Sequence, residues 1–249
     1  MRDSEPHFLE PLLGIVFDLD GTLVLSHHDF GRMRAEVIRL AELSGVPADR
    51  LSVEDPIHKI VEATREDLRS SGAPDGVFYR FEAEYQRRVD AIELEALPRT
   101  TARPGAPELL RTLSGRGFRL GLLTRSSEEF ARRALVRAGL DPYFRYLRSR
   151  SSPGPAKPSP EAHLFLLKEM GVPLDRALYV GDHLLDAECA TRARVRFYAV
   201  LPDPSEPNAA SMNADRFLAV GASPVAPDLL ELARQLNVAT APTSAAGPG

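Results

Sequence analysis

The sequence has one cysteine and no long run of apolar residues. A single cysteine, Cys189, excludes a disulfide bond within the chain and is typical of a reducing compartment. No stretch approaches the roughly 20 consecutive apolar residues that a membrane-spanning helix needs. The start of the chain, Met1–Glu5, carries acidic side chains without an apolar core and does not resemble a signal peptide. These absences predict a cytoplasmic protein that does not bind membranes.

Lysine and net charge are also low. Lysine occurs at three positions, Lys59, Lys157 and Lys168, among 31 lysines and arginines, so a lysine inside a motif stands out. The formal net charge of -4 gives no reason to expect nucleic acid or an anionic membrane as a partner. The 249 residues are enough for one large domain or for a core domain with a smaller one.

Two aspartates follow the first apolar run of the chain. Gly14–Phe17 is a continuous apolar segment, which suits a strand buried on both faces of a parallel sheet. Asp18 and Asp20 come directly after it, and strand geometry points them to the same side. Gly21 then permits a sharp turn. Because adjacent carboxylates repel each other, the arrangement requires a metal cation, a shared proton, or both.

The segment after this motif has the spacing of helices rather than strands. Apolar residues recur at helical intervals over 30–41, and further helices are predicted over Pro56–Ser70 and Pro74–Leu97. We assign the aromatic stripe of the third helix to packing between helices. This stripe consists of Val77, Phe81, Tyr85, Val89 and Ile92, at intervals of four, four, four and three residues. No strand-like run occurs between Leu25 and Arg99. The sequence therefore predicts an all-helical insertion over 24–99, after the first strand.

Strands and helices alternate from residue 100 onward. Such alternation predicts a mainly parallel sheet with right-handed crossovers, so the predicted fold class is α/β, a Rossmann-like doubly wound sheet. The core domain is predicted over 1–23 and 100–239, followed by a disordered tail over 240–249 that is rich in Ala, Pro, Ser and Gly. The later strands are predicted at Phe118–Leu123, Phe144–Leu147, Ala177–Val180, Arg196–Leu201 and Phe217–Val220. The later helices are predicted from Pro107 to Leu113, from an N-cap at Ser126 to Ala138, and over Pro160–Met170, 183–193 and Leu229–Leu236.

Polar side chains stand at or beside the ends of several predicted strands. The carboxyl ends of parallel strands face one crevice, so we expect these residues to converge there. A carboxylate cluster with one lysine and one hydroxyl is what phosphoryl transfer requires, because carboxylates hold a hard cation such as Mg²⁺ and the positive charges neutralise the phosphoryl oxygens. The residues concerned are Asp18, Asp20, Thr124, Lys157, Asp182 and Asp186.

Four motifs in order make the sequence similar to the haloacid dehalogenase superfamily, in its phosphatase branch with a helical cap, which includes phosphoglycolate phosphatases. The first motif, Asp-x-Asp-Gly-Thr, matches Asp18–Thr22, and the second, a threonine or serine that ends a buried strand, matches Thr124. The third, a lysine often followed by proline, matches Lys157–Pro158, and the fourth, Gly-Asp-x-x-x-Asp, matches Gly181–Asp186. The resemblance extends over about 13–236.

The resemblance implies a role for each catalytic position. Asp18 is expected to attack phosphorus and form an aspartyl-phosphate. Asp20 is expected to protonate the leaving oxygen and then to activate the hydrolytic water. Thr124 is expected to bind a phosphoryl oxygen, and Lys157 to bind phosphate and offset the charge of Asp18.

The same resemblance implies a Mg²⁺ cofactor. Asp18, the backbone carbonyl of Asp20 and the Asp182 carboxylate are the expected ligands. Asp186 is expected to complete the metal shell through water or to orient Lys157.

Each of these residues also has a structural alternative when it is taken alone. Asp20 with Gly21 suits a turn, Thr124 or Asp182 suits a helix cap, and Lys157 suits a solvated charge in a loop. Four motifs in the expected order and context favour the functional interpretation.

Several positions differ from the usual pattern of the superfamily or have no assigned role. Leu25 stands where many relatives have an aspartate, while Arg125 and His183 replace a common asparagine and a common serine. Arg125 is a candidate for binding a further anionic group of a substrate. His27, His28 and His183 have both substrate-binding and structural alternatives.

We therefore predict a Mg²⁺-dependent phosphatase that hydrolyses a small phosphorylated metabolite, such as phosphoglycolate or a sugar phosphate. Asp20 argues against a dehalogenase or a phosphonate hydrolase, neither of which needs an acid/base group there. Two alternatives stay open, namely a sugar-phosphate mutase with the same four motifs and a catalytically silent binding protein. The resemblance implies that the helical insertion over 24–99 is the cap, which is expected to close over Asp18 and exclude water. The sequence predicts neither the substrate nor the oligomeric state.

Overall fold

The computed structural model of the chain describes residues 12–205 and 212–236. The tail that the sequence predicts to be disordered, 240–249, lies outside these residues. Within the described part of the chain, no helix is both long enough and apolar enough to cross a membrane.

The chain divides into two compact units. One unit joins the residues up to Ser26 to those from Thr100 onward, and the other is His27–Arg99. Val24, Leu25 and Ser26 lie within the range predicted for the cap, 24–99, and belong to the first unit.

The first unit contains a six-stranded sheet and a two-stranded antiparallel ribbon. In chain order the strands are β1 (Gly14–Phe17), β2 (Val24–Leu25), β3 (Thr101–Ala102), β4 (Arg119–Leu123), β5 (Tyr146–Arg148), β6 (Ala177–Gly181), β7 (Arg196–Val200) and β8 (Val225–Ala226). The ribbon pairs β2 with β3. The order in the sheet is β5-β4-β1-β6-β7-β8, and every neighbouring pair is parallel. The predicted parallel α/β fold is confirmed.

The α-helices of the described residues are divided between the two units. They are α1 (Phe30–Leu43), α2 (Ile57–Ser70), α3 (Asp75–Ala96), α4 (Ala106–Gly115), α5 (Glu128–Ala138), α6 (Pro160–Met170), α7 (Leu184–Ala193), α8 (Ala214–Ala219) and α9 (Leu229–Gln235). The first three helices form the second unit, and the other six belong to the first.

Strand β1 lies in the middle of the sheet, between β4 and β6. All four of its residues are buried, as expected for a continuous apolar run with a strand on either side. Helices α6 and α7 contribute Leu166 and Ala190 to a hydrophobic core that also contains Tyr179 of β6. The parallel pairing of β1 with β4 and with β6 places the carboxyl ends of these three strands side by side.

The predicted strand at Phe217–Val220 is wrong, because these residues belong to α8 and the turn after it. Asn213 caps this helix by accepting a hydrogen bond from the backbone N–H of Arg216 at 3.0 Å. A short apolar run does not by itself distinguish a helix from a strand. The last strand of the sheet is instead β8, whose two residues are too few to show a period.

The predicted N-cap of α5 at Ser126 is also wrong. Ser127 caps the helix, and its hydroxyl oxygen accepts a hydrogen bond from the backbone N–H of Phe130 at 3.2 Å. The two serines are adjacent, so spacing alone could not separate them. The Ser126 hydroxyl has another partner in the functional site.

The second unit is helical, and its core lies between α1, α2 and α3. The aromatic stripe of α3 is buried at Phe81, Tyr85 and Val89, while Val77 is half-buried. The rings of Phe81 and Tyr85 are 5.3 Å apart between centroids. The stripe therefore packs between helices, as its spacing predicted.

Candidate active site

The carboxyl ends of β4, β1 and β6 bring three polar segments together. Asp18 directly follows β1, and its backbone N–H donates to the carbonyl of Val180 in β6 at 2.9 Å. Thr124 directly follows β4, and Asp182 directly follows β6. This edge of an open parallel sheet is where such folds bind ligands.

Three buried carboxylates form a cluster at this edge. One oxygen from each of Asp18, Asp182 and Asp186 lies within 4.8 Å of the other two. The Nζ atom of Lys157 donates to Oδ1 of Asp18 at 2.5 Å and to Oδ1 of Asp186 at 2.7 Å. The lysine is only 3% exposed. One ammonium therefore faces three carboxyl groups in a place that water barely reaches.

Burial dominates the electrostatics of this cluster. It raises the pKa of Asp18 well above its usual value, while Lys157 opposes the shift and the neighbouring carboxylates add to it. The pKa of Asp182 rises to about 7, first because of burial and then because of Asp186. Burial favours loss of the Lys157 proton, but the attraction of Asp18 and Asp186 outweighs it, so the pKa of Lys157 is raised. The lysine stays charged, and full ionisation of the carboxyl groups requires more positive charge.

The carboxylate cluster fits a divalent metal ion. Its donors are all carboxylate oxygens, which are the ligands that hard cations such as Mg²⁺ prefer. A cation held by Asp18, Asp182 and Asp186 would offset the repulsion that burial strengthens. The cluster therefore supports a divalent-metal site, without distinguishing Mg²⁺ from other hard cations.

Asp20 has a different set of partners. Its Oδ2 accepts a hydrogen bond from the Ser126 hydroxyl at 2.6 Å and lies 3.4 Å from Oγ1 of Thr124. The Thr124 hydroxyl oxygen in turn accepts from the backbone N–H of Ser126 at 3.0 Å. The loop after β4 thus holds the second carboxylate of the first motif.

The glycine and threonine of the first motif shape the position of Asp182. Gly21 has a φ of 80°, and a Cβ atom at this position would lie 2.2 Å from Oδ2 of Asp182. The Thr22 hydroxyl donates to Oδ1 of Asp182 at 2.6 Å. Only glycine allows this close approach, so the turn after β1 and the loop after β6 fit together at these residues.

The turn into α7 positions Asp186. His183 is the N-cap of this helix, and its Nδ1 accepts from the Leu185 backbone N–H at 3.1 Å. The His183 backbone N–H donates to Oδ2 of Asp186 at 3.1 Å. A Cβ atom at Gly181 would lie 2.5 Å from the same Oδ2 atom. His183 thus has a structural role in capping, which supports the structural alternative for this residue.

Arginine side chains hold the loops around the cluster. Arg125 donates to the backbone carbonyl of Lys157, and Arg150 donates to the carbonyl of Arg125 at 2.7 Å. The buried Arg103 donates to the Gly21 carbonyl at 2.6 Å. These bonds fix the backbone on two sides of the carboxylates, and Arg125 is engaged with the lysine loop.

The structure brings all six residues predicted from the motifs to the same edge of the sheet, namely Asp18, Asp20, Thr124, Lys157, Asp182 and Asp186. His27 and His28 belong to the second unit, and their roles stay predictions. Sequence reasoning missed Ser126 and Arg103 as site residues, and it did not anticipate the contact of Thr22 with Asp182. Thr22 lies inside the first motif, and this position was the one available signal. Ser126 and Arg103 had no such signal, because serines and arginines are common elsewhere in the chain.

A parallel α/β unit with a buried lysine among clustered carboxylates has the groups that phosphoryl transfer requires. The chain belongs to the haloacid dehalogenase-like hydrolase family, whose pattern matches residues 12–194. The predictions that the protein is a member of this superfamily and an enzyme of the hydrolase class are confirmed.

The curated relatives that carry the name phosphoglycolate phosphatase include proteins from two Pseudomonas species. The protein from Pseudomonas fluorescens Pf-5 is 31% identical over 195 residues, which cover 75% of this chain and 68% of the relative. Phosphoglycolate phosphatase 1 from Pseudomonas aeruginosa is 32% identical over 206 residues, covering 80% of this chain and 74% of the relative. A hydrolase from Pseudomonas syringae of known structure shares the fold, with a TM-score of 0.63 and 21% identity over 92% of this chain and 100% of the other.

Proposed function

We propose that this protein is a Mg²⁺-dependent phosphatase that hydrolyses a small phosphorylated metabolite, with phosphoglycolate as the first substrate to test and sugar phosphates as the second class. The observation that carries the proposal is the position of Lys157, whose ammonium bridges Asp18 and Asp186 beside the third carboxylate, Asp182. The relatives named phosphoglycolate phosphatase support the choice of reaction and first substrate.

Asp18 is the proposed nucleophile. Its carboxylate attacks phosphorus, the bond from phosphorus to the leaving oxygen breaks, and an aspartyl-phosphate forms on Asp18. Lys157 holds the carboxylate in place and offsets negative charge on the phosphoryl group. Asp18, Asp182 and Asp186 would hold a divalent cation, which would supply further positive charge to the phosphoryl oxygens.

Asp20 is the proposed acid/base group. It gives a proton to the leaving oxygen and then removes one from the water that hydrolyses the aspartyl-phosphate. The hydrogen bond from Ser126 to Oδ2 fixes this carboxyl group beside Thr124. Thr124 is proposed to turn its hydroxyl to a phosphoryl oxygen when substrate binds.

The first experiment measures release of inorganic phosphate from phosphoglycolate and a panel of sugar phosphates, with Mg²⁺ and with a chelator. Asp18→Asn should reduce the rate to background, and Asp20→Asn should reduce kcat by about 10²–10⁴-fold. Asp175→Asn, which changes an exposed aspartate, is the matched control. Equal rates for the parent protein and Asp18→Asn would exclude the nucleophile assignment. A phosphorylated isomer formed without free phosphate would instead indicate a mutase.

The second experiment tests the metal site without turnover. A cation that binds only the folded protein raises its melting temperature in proportion to the logarithm of its concentration above Kd. Addition of MgCl₂ should therefore raise the Tm of the parent protein and of Asp175→Asn. The Tm of Asp182→Asn should not respond, although this variant should be no less stable without metal because one of three crowded carboxyl groups is removed. A full Mg²⁺ response in Asp182→Asn would reject the site.

A further inference from the structure

We infer that Tyr179 is a positioning residue, whose hydroxyl holds the Asp186 carboxylate where it accepts the ammonium of Lys157. The residue belongs to none of the four motifs, and it lies in the strand that leads to the fourth. The inference deepens the proposed function and rests on it, because it concerns the lysine that is proposed to bind phosphate.

The hydroxyl of Tyr179 and the ammonium of Lys157 share one acceptor. The hydroxyl donates to Oδ1 of Asp186 at 2.8 Å, and Nζ of Lys157 donates to the same oxygen at 2.7 Å. The hydroxyl also lies 3.4 Å from the Leu123 carbonyl. A phenol has a single proton, and the nearer, anionic acceptor receives it.

The ring of Tyr179 is held on two sides. The His163 ring packs edge-on against it at 4.8 Å between centroids, and the Phe197 ring does so at 5.9 Å. Tyr179 is fully buried, and its phenol has one proton to donate, which points to Asp186. Because the ring is held in place, the Tyr179 hydroxyl fixes the position of its acceptor, the Asp186 carboxylate.

Asp186 is therefore held at both oxygens. The backbone N–H of His183 donates to Oδ2 at 3.1 Å, and Tyr179 holds Oδ1. Lys157 reaches from Oδ1 of Asp186 to Oδ1 of Asp18. Without the Tyr179 hydroxyl, Asp186 loses one of the hydrogen bonds that fix its carboxylate. The ammonium of Lys157 then has a less fixed acceptor beside Asp18.

The kinetic test compares Tyr179→Phe with Tyr198→Phe. Tyr198 lies in β7 next to Phe197, and since neighbouring residues of a strand face opposite sides, it provides the same chemical change on the other face of the sheet. Loss of a group that orients a site residue costs about 10–100-fold in activity. We expect kcat for phosphate release to fall at least about tenfold in Tyr179→Phe, with a smaller change in KM, and to stay unchanged in Tyr198→Phe.

A second measurement needs no turnover. The chain has three lysines, and Lys59 and Lys168 are exposed, so the buried Nζ of Lys157 can be identified by NMR after selective ¹⁵N labelling of lysine. Its protons should exchange slowly with water in the parent protein and severalfold faster in Tyr179→Phe, while Tyr198→Phe should match the parent. The lysine and backbone spectra also show whether each variant is folded.

The outcomes separate this inference from the proposed function. A parent protein without phosphatase activity refutes the proposed function, and the proton exchange of Lys157 then decides the inference alone. Exchange in Tyr179→Phe as slow as in the parent overturns the inference. An unchanged kcat in this variant, in an active parent, overturns it as well. Faster exchange together with a lower kcat supports it.

Discussion

The Nζ atom of Lys157 lies 2.5 Å from Oδ1 of Asp18, although 139 residues separate the two in the chain. Both residues are buried, so the ion pair is shielded from water on nearly all sides. The hydration that two ions lose on burial can exceed the gain from their attraction, and removal of one partner leaves the other charge buried without compensation. The fold therefore requires both partners of the pair for its stability, and the same pair is part of the proposed site.

Replacement of Lys157 by alanine tests whether stability depends on both charges of the buried pair. We expect Lys157→Ala to lower the free energy of unfolding by about 3–5 kcal/mol, because it leaves buried Asp18 and Asp186 without their shared cation. The exposed Lys168 of α6 is the control, and Lys168→Ala should change stability by less than about 0.5 kcal/mol. Denaturant unfolding measures both values. Equal stability of the two variants would contradict the prediction.

Ser126 and Ser127 are adjacent but differ in their partners. Ser126→Ala removes the donor to Asp20. When Asp20 is ionised and acts as the base, a hydrogen bond to it contributes about 1.5–3 kcal/mol, so kcat should fall about tenfold or more. Ser127→Ala removes the N-cap of α5 and should cost about 1 kcal/mol of stability with little effect on kcat. Phosphate-release kinetics and denaturant unfolding of both variants are the measurements. A normal kcat in Ser126→Ala would show that the bond does not assist Asp20.

Gly21 and Gly117 have similar backbone conformations in different surroundings. Their φ angles are 80° and 84°, so alanine at either position should cost about 1–3 kcal/mol in backbone strain. A Cβ atom at Gly117 meets no atom within 4 Å, whereas one at Gly21 would lie 2.2 Å from Oδ2 of Asp182. Gly21→Ala should therefore abolish the rise of Tm with Mg²⁺, and Gly117→Ala should keep it. Thermal unfolding in a Mg²⁺ series decides, and an equal response would disprove the link to Asp182.

His163 should make the folding stability depend on pH. Burial lowers its pKa from 6.5 to about 3, and Lys157 adds to the shift. Between these values the unfolded chain binds a proton that the folded protein does not, so stability falls as the pH drops from about 6.5 toward 3 and is fully retained above this range. The slope is about 1.4 kcal/mol per pH unit for this one group.

His163→Leu tests this contribution. The variant keeps an apolar side chain against Tyr179 and has no proton to bind, so its free energy of unfolding should fall less steeply than that of the parent between about pH 6 and 4. Denaturant unfolding at several pH values measures both curves. Parallel curves would show that the imidazole takes up a proton in the folded protein.

Much of the fold was predictable because its elements are long enough to show a period. The apolar run of β1 and the stripes of α1 and α3 follow the predicted boundaries closely. Prediction failed where the elements are short. The apolar residues of α8 are too few to distinguish a helix from a strand. The strands β2, β3 and β8 have two residues each, which show no period and pair through contacts with distant segments.

The sequence by itself determined which chemical groups stand at the strand ends, since each follows a buried apolar run. Only the tertiary structure decided which of them are partners. Ser126 bonds to Asp20 rather than capping a helix, and Tyr179 shares its acceptor with Lys157. The physical reason is that a hydrogen bond depends on the distance and angle between two particular atoms. Folding brings these atoms together from distant parts of the chain, and no local pattern of residues specifies their geometry.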